Sequence, residues 1–235
     1  MIKKIARMLD HSVLHPTATD ADVLTHCEIA KRYSVASLCV KPYHVAYAYE
    51  QLCESSVPVS AVVGFPHGNS TIAIKTAEAL QVITDGACEV DMVVNIGKVL
   101  QNDWTYIRAE IDAVQSVCIA NNALLKVIFE TDFVLSDMHK ITLCSICNEL
   151  RVAFAKTSTG FGFVKQSEHC FVSEGATAYN VSLMRTHCEP HVQIKASGGI
   201  RTLEQVLHMV ELGVTRIGTS ATVAILEAIK NVENS

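Results

Sequence analysis

The sequence predicts a single (β/α)8 barrel, an α/β fold of eight parallel strands ringed by helices. Three observations carry this. Short apolar runs alternate with helix-patterned segments along the whole chain, which specifies βαβ units and a parallel sheet. Eight such units fit in 235 residues, the size of one barrel. No linker, low-complexity tract or block of like charge interrupts them, so residues 1–235 read as one domain. An open doubly wound sheet is the runner-up. It usually shows fewer strands, and its dinucleotide-binding form carries G-x-G-x-x-G after the first strand. Here Gly160-Phe161-Gly162 follows the sixth strand and has no third glycine.

In chain order, the first strand is predicted at residues 5–9. A helix follows at 20–33, with Thr19 as its N-cap. The second strand spans 36–40, followed by a helix at 42–54 that opens on Pro42. The third spans 59–64, with a helix at 72–84 that stops at Asp85-Gly86. Strands four, five and six span 89–94, 124–129 and 152–156, with helices at 104–121 and 137–149 between them. Strand seven (192–196) follows a helix at 179–188. The helix at 203–212, strand eight (215–218) and a last helix at 221–231 close the pattern. Residues 162–175 form the longest irregular stretch, and in a barrel such a loop after a strand lies on the catalytic face.

Composition excludes several classes. The charged fraction is 18% and the net charge −5, so the chain is neither disordered nor marked by a basic face for nucleic acid. No apolar run nears the roughly 20 residues of a membrane helix. The basic start, Met1 to Ile5, meets Asp10 and His11 too soon for a secretory signal. The nine cysteines fall mostly within apolar segments and are odd in number, which reads as reduced core residues of a cytoplasmic protein. Cys144 and Cys147 form a lone C-x-x-C inside a helical pattern, without the second pair of a zinc site.

Barrel enzymes draw catalytic groups from the carboxyl ends of strands. Asp91 interrupts the apolar fourth strand, either as a buried structural carboxylate or as a catalytic one. Lys156 ends the sixth strand and Lys195 occupies the equivalent place on the seventh. A lone lysine at a strand end snorkels into solvent. Two that share one space disfavour each other's charge, so one pKa falls, and a neutral amine is a nucleophile able to form a Schiff base. Two glycine- and hydroxyl-bearing turns follow: Ser197-Gly198-Gly199 with Arg201, and Gly218-Thr219-Ser220 opening a helix. After strands seven and eight, such turns form the phosphate site of many barrels.

These motifs in order resemble the deoxyribose-phosphate aldolase family. The resemblance rests on Asp91 in V-D-M-V-V-N-I-G, Lys156 in K-T-S-T-G-F, Lys195 in K-A-S-G-G-I-R-T and the terminal R-I-G-T-S. Leu9-Asp10-His11, Gly64-Phe65-Pro66-His67-Gly68, Gly175-Ala176-Thr177 and Leu183-Met184-Arg185 extend it over about residues 9–225. It implies a class I aldolase that reversibly joins acetaldehyde and D-glyceraldehyde 3-phosphate into 2-deoxy-D-ribose 5-phosphate without metal or other cofactor. It further implies that Lys156 forms the Schiff base, Lys195 tunes it, Asp91 takes part in proton transfer and Asp10 joins the polar network. Gly160, Ser197, Gly198, Gly199, Arg201, Gly218, Thr219 and Ser220 would hold the phosphate, and a homo-oligomer is compatible. The chain departs from the pattern at His15, where lysine is frequent, and in an insertion at 162–174 that contains Lys165, Glu168 and His169. Its tail, residues 230–235, has no tyrosine. Two rival readings stand beside this one: a metal-dependent aldolase or hydrolase using some of the ten histidines, and a catalytically silent barrel that serves as a binding subunit.

Overall fold

A computed structural model describes residues 1–168 and 170–233. Eight parallel strands close into a barrel: β1 (Leu9–Val13), β2 (Ser37–Val40), β3 (Val59–Val63), β4 (Ala87–Val93), β5 (Leu124–Ile128), β6 (Phe154–Lys156), β9 (Gln193–Ser197) and β10 (Arg216–Thr219). β1 pairs with β10 to complete the ring. Two further strands, β7 (Val164–Ser167) and β8 (Cys170–Val172), form a separate antiparallel hairpin between β6 and the next helix.

The helices are α1 (Ile2–Ala6), α2 (Asp20–Tyr33), α3 (Val45–Leu52), α4 (Ile72–Thr84), α5 (Ile96–Leu100), α6 (Trp104–Ala120), α7 (Asp137–Glu149), α8 (Ala178–His187), α9 (Leu203–Glu211) and α10 (Thr222–Glu233). Their ends follow from side-chain chemistry. Thr19 and Asp22 form a capping box on α2, and Thr202 and Gln205 form another on α9, satisfying amides that have no partner inside the helix. The core lies between the outer wall of the barrel and these helices. It gathers Val90, Met92, Leu125, Val127, Ala155, Ile194, Ala196 and Ile217 from the strands with Ile107, Ile111, Leu143, Val206 and Ile225 from the helices, all essentially inaccessible.

Three expectations need correction. The apolar residues 5–9 were expected as the first strand, but Ile2–Ala6 is a helix and the strand is Leu9–Val13. The short helix buries Ile5 and Ala6 and packs beside α10. The strand escaped notice because it reads Leu-Asp-His-Ser-Val, and its polar Asp10 faces inward. The expected helix at 42–54 splits into a 3-10 turn, Pro42–His44, and the shorter α3. The stretch expected to be irregular at 162–175 holds the β7–β8 hairpin. His169 of that stretch lies outside the described residues, as do Asn234 and Ser235 of the tail.

Candidate active site

Strand register assembles the site. In a parallel sheet, partners in register point to the same face. Asp91 is in register with Lys126, Lys156 with Lys195, and Lys195 with Arg216. Barrel interiors are usually filled by Val, Ile and Leu. Here one stretch of the interior is filled by ions instead.

Asp91, with no exposed surface, is the hub. Its Oδ2 accepts hydrogen bonds from the Nζ atoms of Lys156 and Lys195, both at 2.7 Å. Its Oδ1 accepts from Lys126 Nζ at 2.7 Å and from the Ser60 hydroxyl at 3.2 Å. Asp10 is a second hub, bridging Lys195, Arg216 at 2.7 Å and the Ser37 hydroxyl at 2.7 Å. Glu89 joins Lys126 at 2.6 Å to Arg216 at 2.8 Å. Burial opposes the charge on both aspartates, but the surrounding cations outweigh it and hold both carboxyls well below the usual range.

The three lysines differ in their share of this negative charge. Lys126 touches Asp10, Glu89 and Asp91, and Lys195 touches Asp10 and Asp91. Among the described residues, the one carboxylate that Lys156 touches is that of Asp91. Burial lowers all three. For Lys126 and Lys195 the carboxylates reverse that effect and raise the pKa. For Lys156 they do not: burial lowers its pKa, Asp91 opposes, and the Lys195 charge adds to the fall. The sequence reading put the like charge of Lys195 first. In the structure desolvation is the largest cause of the fall, Asp91 opposes it, and the like charge of Lys195 is the smaller lowering effect. The amine best able to be neutral is Lys156, and a neutral amine in a cavity wall can attack a carbonyl carbon.

Above the ion layer opens a cavity of about 520 Å³. Lys156 and Lys195 form part of its wall, with Gly160, Ser197, Gly198, Gly199, Arg201, Gly218, Thr219 and Ser220. Asp91 and Asp10 are not among its lining residues; both lie beneath it with no exposed surface. Gly198 (φ 91°) and Gly199 (φ 77°) adopt the left-handed backbone that glycine takes without strain. At Gly218 a Cβ would lie 2.9 Å from Ser197 Cβ and 3.3 Å from Lys195 Cε, so only glycine leaves room for the Lys195 side chain.

Residues 4–228 match the model of the DeoC/LacD family aldolases. The chain belongs to this aldolase family. The chain is 44% identical over 222 residues to a deoxyribose-phosphate aldolase of Rhodopirellula baltica, covering 94% of this chain and 88% of that protein. It is 42% identical to one of Thermococcus gammatolerans, covering 97% of this chain and 98% of that protein. Among solved structures, the tetrameric deoxyribose phosphate aldolase of Aeropyrum pernix superposes with a TM-score of 0.87 at 26% identity, covering 99% of this chain and 93% of that one.

In this aldolase-family barrel several site residues were missed from the sequence. Lys126 lies within the apolar run Leu-Leu-Lys-Val-Ile, the same signal that marked Asp91, but in mid-strand rather than at the carboxyl end. Arg216 opens the R-I-G-T-S motif and Glu89 opens the predicted fourth strand, neither with a role given. His11 Nδ1 meets Thr222 Oγ1 at 2.8 Å, tying β1 to the start of α10, and its Nε2 meets His26 Nδ1 at 2.7 Å. Burial, then the neighbouring His26, lowers the His11 pKa to about 3. Among the described residues, no three His, Cys, Asp or Glu side chains are grouped as a metal site. Cys144 and Cys147 are buried, unpaired thiols on α7.

Proposed function

We propose that this chain, acting as one barrel domain over residues 1–235, reversibly cleaves 2-deoxy-D-ribose 5-phosphate to D-glyceraldehyde 3-phosphate and acetaldehyde. Lys156 is the Schiff-base residue. The single observation that carries this is the contrast among three buried lysines around Asp91, in which Lys156 alone shares one carboxylate and has a lowered pKa.

The neutral Nζ adds to C1 of the open-chain aldehyde, and loss of water gives an iminium. The C3 hydroxyl gives up its proton, the C2–C3 bond breaks, and its electron pair flows into the iminium to form an enamine. Glyceraldehyde 3-phosphate departs. Protonation at C2 and addition of water then release acetaldehyde and restore the amine. Asp91 is fully buried and outside the cavity wall, so it meets substrate protons only through its neighbours. We assign it the relay of protons between Lys156 and Lys195, which share its Oδ2. Asp10 keeps Lys195 charged, since it raises that pKa.

The turns at Ser197, Gly198, Gly199, Arg201 and at Gly218, Thr219, Ser220, with Gly160 opposite, hold the phosphate. Backbone amides at the start of α10 and the Arg201 guanidinium supply its positive surroundings. The nine unpaired cysteines support a cytoplasmic setting, and the tetrameric relative from Aeropyrum pernix supports self-association of this chain. No described helix is long and apolar enough to cross a membrane.

The test is covalent trapping. Incubation with acetaldehyde and borohydride is expected to leave an ethyl group on Lys156, located by peptide mass spectrometry. Lys156→Ala is expected to stay folded and lose nearly all turnover. Trapping at another lysine with Lys156 unmodified overturns the assignment.

A further inference from the structure

The turn that follows β5 holds three buried polar side chains, Glu130, Thr131 and Asp132, none of which lines the cavity. Glu130 has a left-handed backbone (φ 51°), a conformation that costs any side chain with a Cβ and persists where surrounding contacts impose it. Its carboxyl has no exposed surface. Oε2 accepts from the Thr159 backbone amide at 3.3 Å and from the Thr159 hydroxyl. The Phe161 amide in turn donates to Thr159 Oγ1 at 2.9 Å. Oε1 has no partner. Burial pushes the Glu130 carboxyl up against the pull of the Thr159 hydroxyl, and Asp132 adds to the rise.

The same turn grips the other stem of the hairpin. Asp132 Oδ1 accepts from the Gly175 amide at 2.9 Å, and its Oδ2 from the Ser173 hydroxyl at 3.2 Å. Thr131 Oγ1 meets Ser158 Oγ at 2.9 Å and donates to the Gly175 carbonyl at 3.3 Å. Both stems lead into the cavity wall. Thr159, Gly160 and Phe161 line it directly. Gly175 lies so close to Gly198 that a Cβ would stand 2.5 Å from the Gly198 carbonyl oxygen, and the Ala176 amide donates to that oxygen at 3.1 Å.

We propose that Glu130 is a positioning residue for the phosphate end of the substrate: its carboxyl fixes the Thr159–Gly160–Phe161 wall, while Asp132 sets the facing stem against Gly198. This rests on the aldolase reading above. Lys156 has its own anchor in Asp91 and meets Glu130 only through a weak charge interaction, so the device acts chiefly on binding at the phosphate end.

Four forms test this: the parent, Glu130→Gln, Glu130→Ala and Gly162→Ala. The last keeps Glu130 but displaces it, because a Cβ at Gly162 would lie 2.8 Å from Glu130 Oε1 and 2.8 Å from Asp132 Cβ. Each is assayed on 2-deoxyribose 5-phosphate and on 2-deoxyribose, and each is trapped with acetaldehyde and borohydride. Glu130→Ala and Gly162→Ala are expected to raise KM for the phosphorylated substrate about tenfold, the scale of a lost buried hydrogen bond, with kcat and trapping near parental. KM for 2-deoxyribose stays unchanged. Glu130→Gln, a neutral isostere whose carbonyl accepts both Thr159 bonds, restores the parental KM.

A parental KM in Glu130→Ala overturns the proposal, and so do equal losses on both substrates or a Glu130→Gln as impaired as the alanine variant. If Glu130→Ala does not fold, a folded Gly162→Ala with parental KM overturns it alone. A parent that neither traps nor turns over overturns the aldolase reading itself, which separates the two failures.

Discussion

Lys156 and Lys195 stand in register on neighbouring strands and share one carboxylate oxygen, yet the site lowers the pKa of the first and raises that of the second. The difference lies in Asp10, which reaches Lys195 and not Lys156. The sequence reading found both lysines, because each ends an apolar strand where a charge is conspicuous. It could not apportion their charge, since Asp10 lies 185 residues from Lys195 in the chain. The sign of a substitution follows. Lys195→Leu removes a cation that lowers the Lys156 pKa and leaves Asp91 Oδ2 to Lys156 alone. Both effects favour the ammonium form, so the neutral fraction appears only at higher pH. The acidic limb of the pH–rate profile for imine formation is expected to move to higher pH. Stopped-flow measurement of imine formation against pH checks this, and a limb that stays in place shows that the two amines do not interact.

At the scale of elements, legibility depended on what each strand shows to the barrel interior. Strands β2, β3 and β5 announce themselves as apolar runs, while β1, with Asp10 and His11 in its middle, is concealed by the site it serves. The hairpin was illegible for another reason. Its exposed strands, Val-Lys-Gln-Ser and Cys-Phe-Val, carry no alternation, and an isolated two-stranded hairpin has little stability of its own. It is held by edge-to-face contacts of Phe163 with Phe133 at 5.1 Å and with Phe171 at 5.2 Å. The sequence places this loop on the catalytic face, yet the cavity wall on this side is Gly160 and Phe161, and none of the described residues 164–168 and 170–172 lines it. Replacing residues 164–172 with a short Gly-Ser link, while keeping Ser173 and Gly175 on Asp132, is therefore expected to leave kcat and KM for 2-deoxyribose 5-phosphate near parental. Steady-state kinetics measures this. A large fall in kcat with Lys156 still trappable would instead make the hairpin a lid over the cavity.

Across the whole molecule, the ion layer behaves as one body. Lys126, Lys156, Lys195 and Arg216 give four cations against the three carboxylates of Asp10, Glu89 and Asp91, linked across β1, β4, β5, β6, β9 and β10. A buried cluster with one excess charge is costly in low dielectric, and losing one proton brings it to neutrality. That proton leaves the amine with the fewest carboxylates, Lys156. The balance, more than the pair of facing lysines, sets the reactive amine. Lys126→Met separates these accounts, because Lys126 is bonded to Asp91, Glu89 and Ser60 but not to Lys156. If balance governs, three cations then meet three carboxylates, Asp91 Oδ1 loses its lysine, and Lys156 keeps its proton to higher pH. The acidic limb of imine formation is expected to move up as it does in Lys195→Leu, with the facing pair intact. Removing one partner from a buried ionic network also costs about 3–5 kcal/mol, visible as a lower denaturation midpoint. A Lys126→Met enzyme that loses stability while its pH profile stays parental would overturn the balance account and leave burial and the neighbouring Lys195 charge to lower the Lys156 pKa.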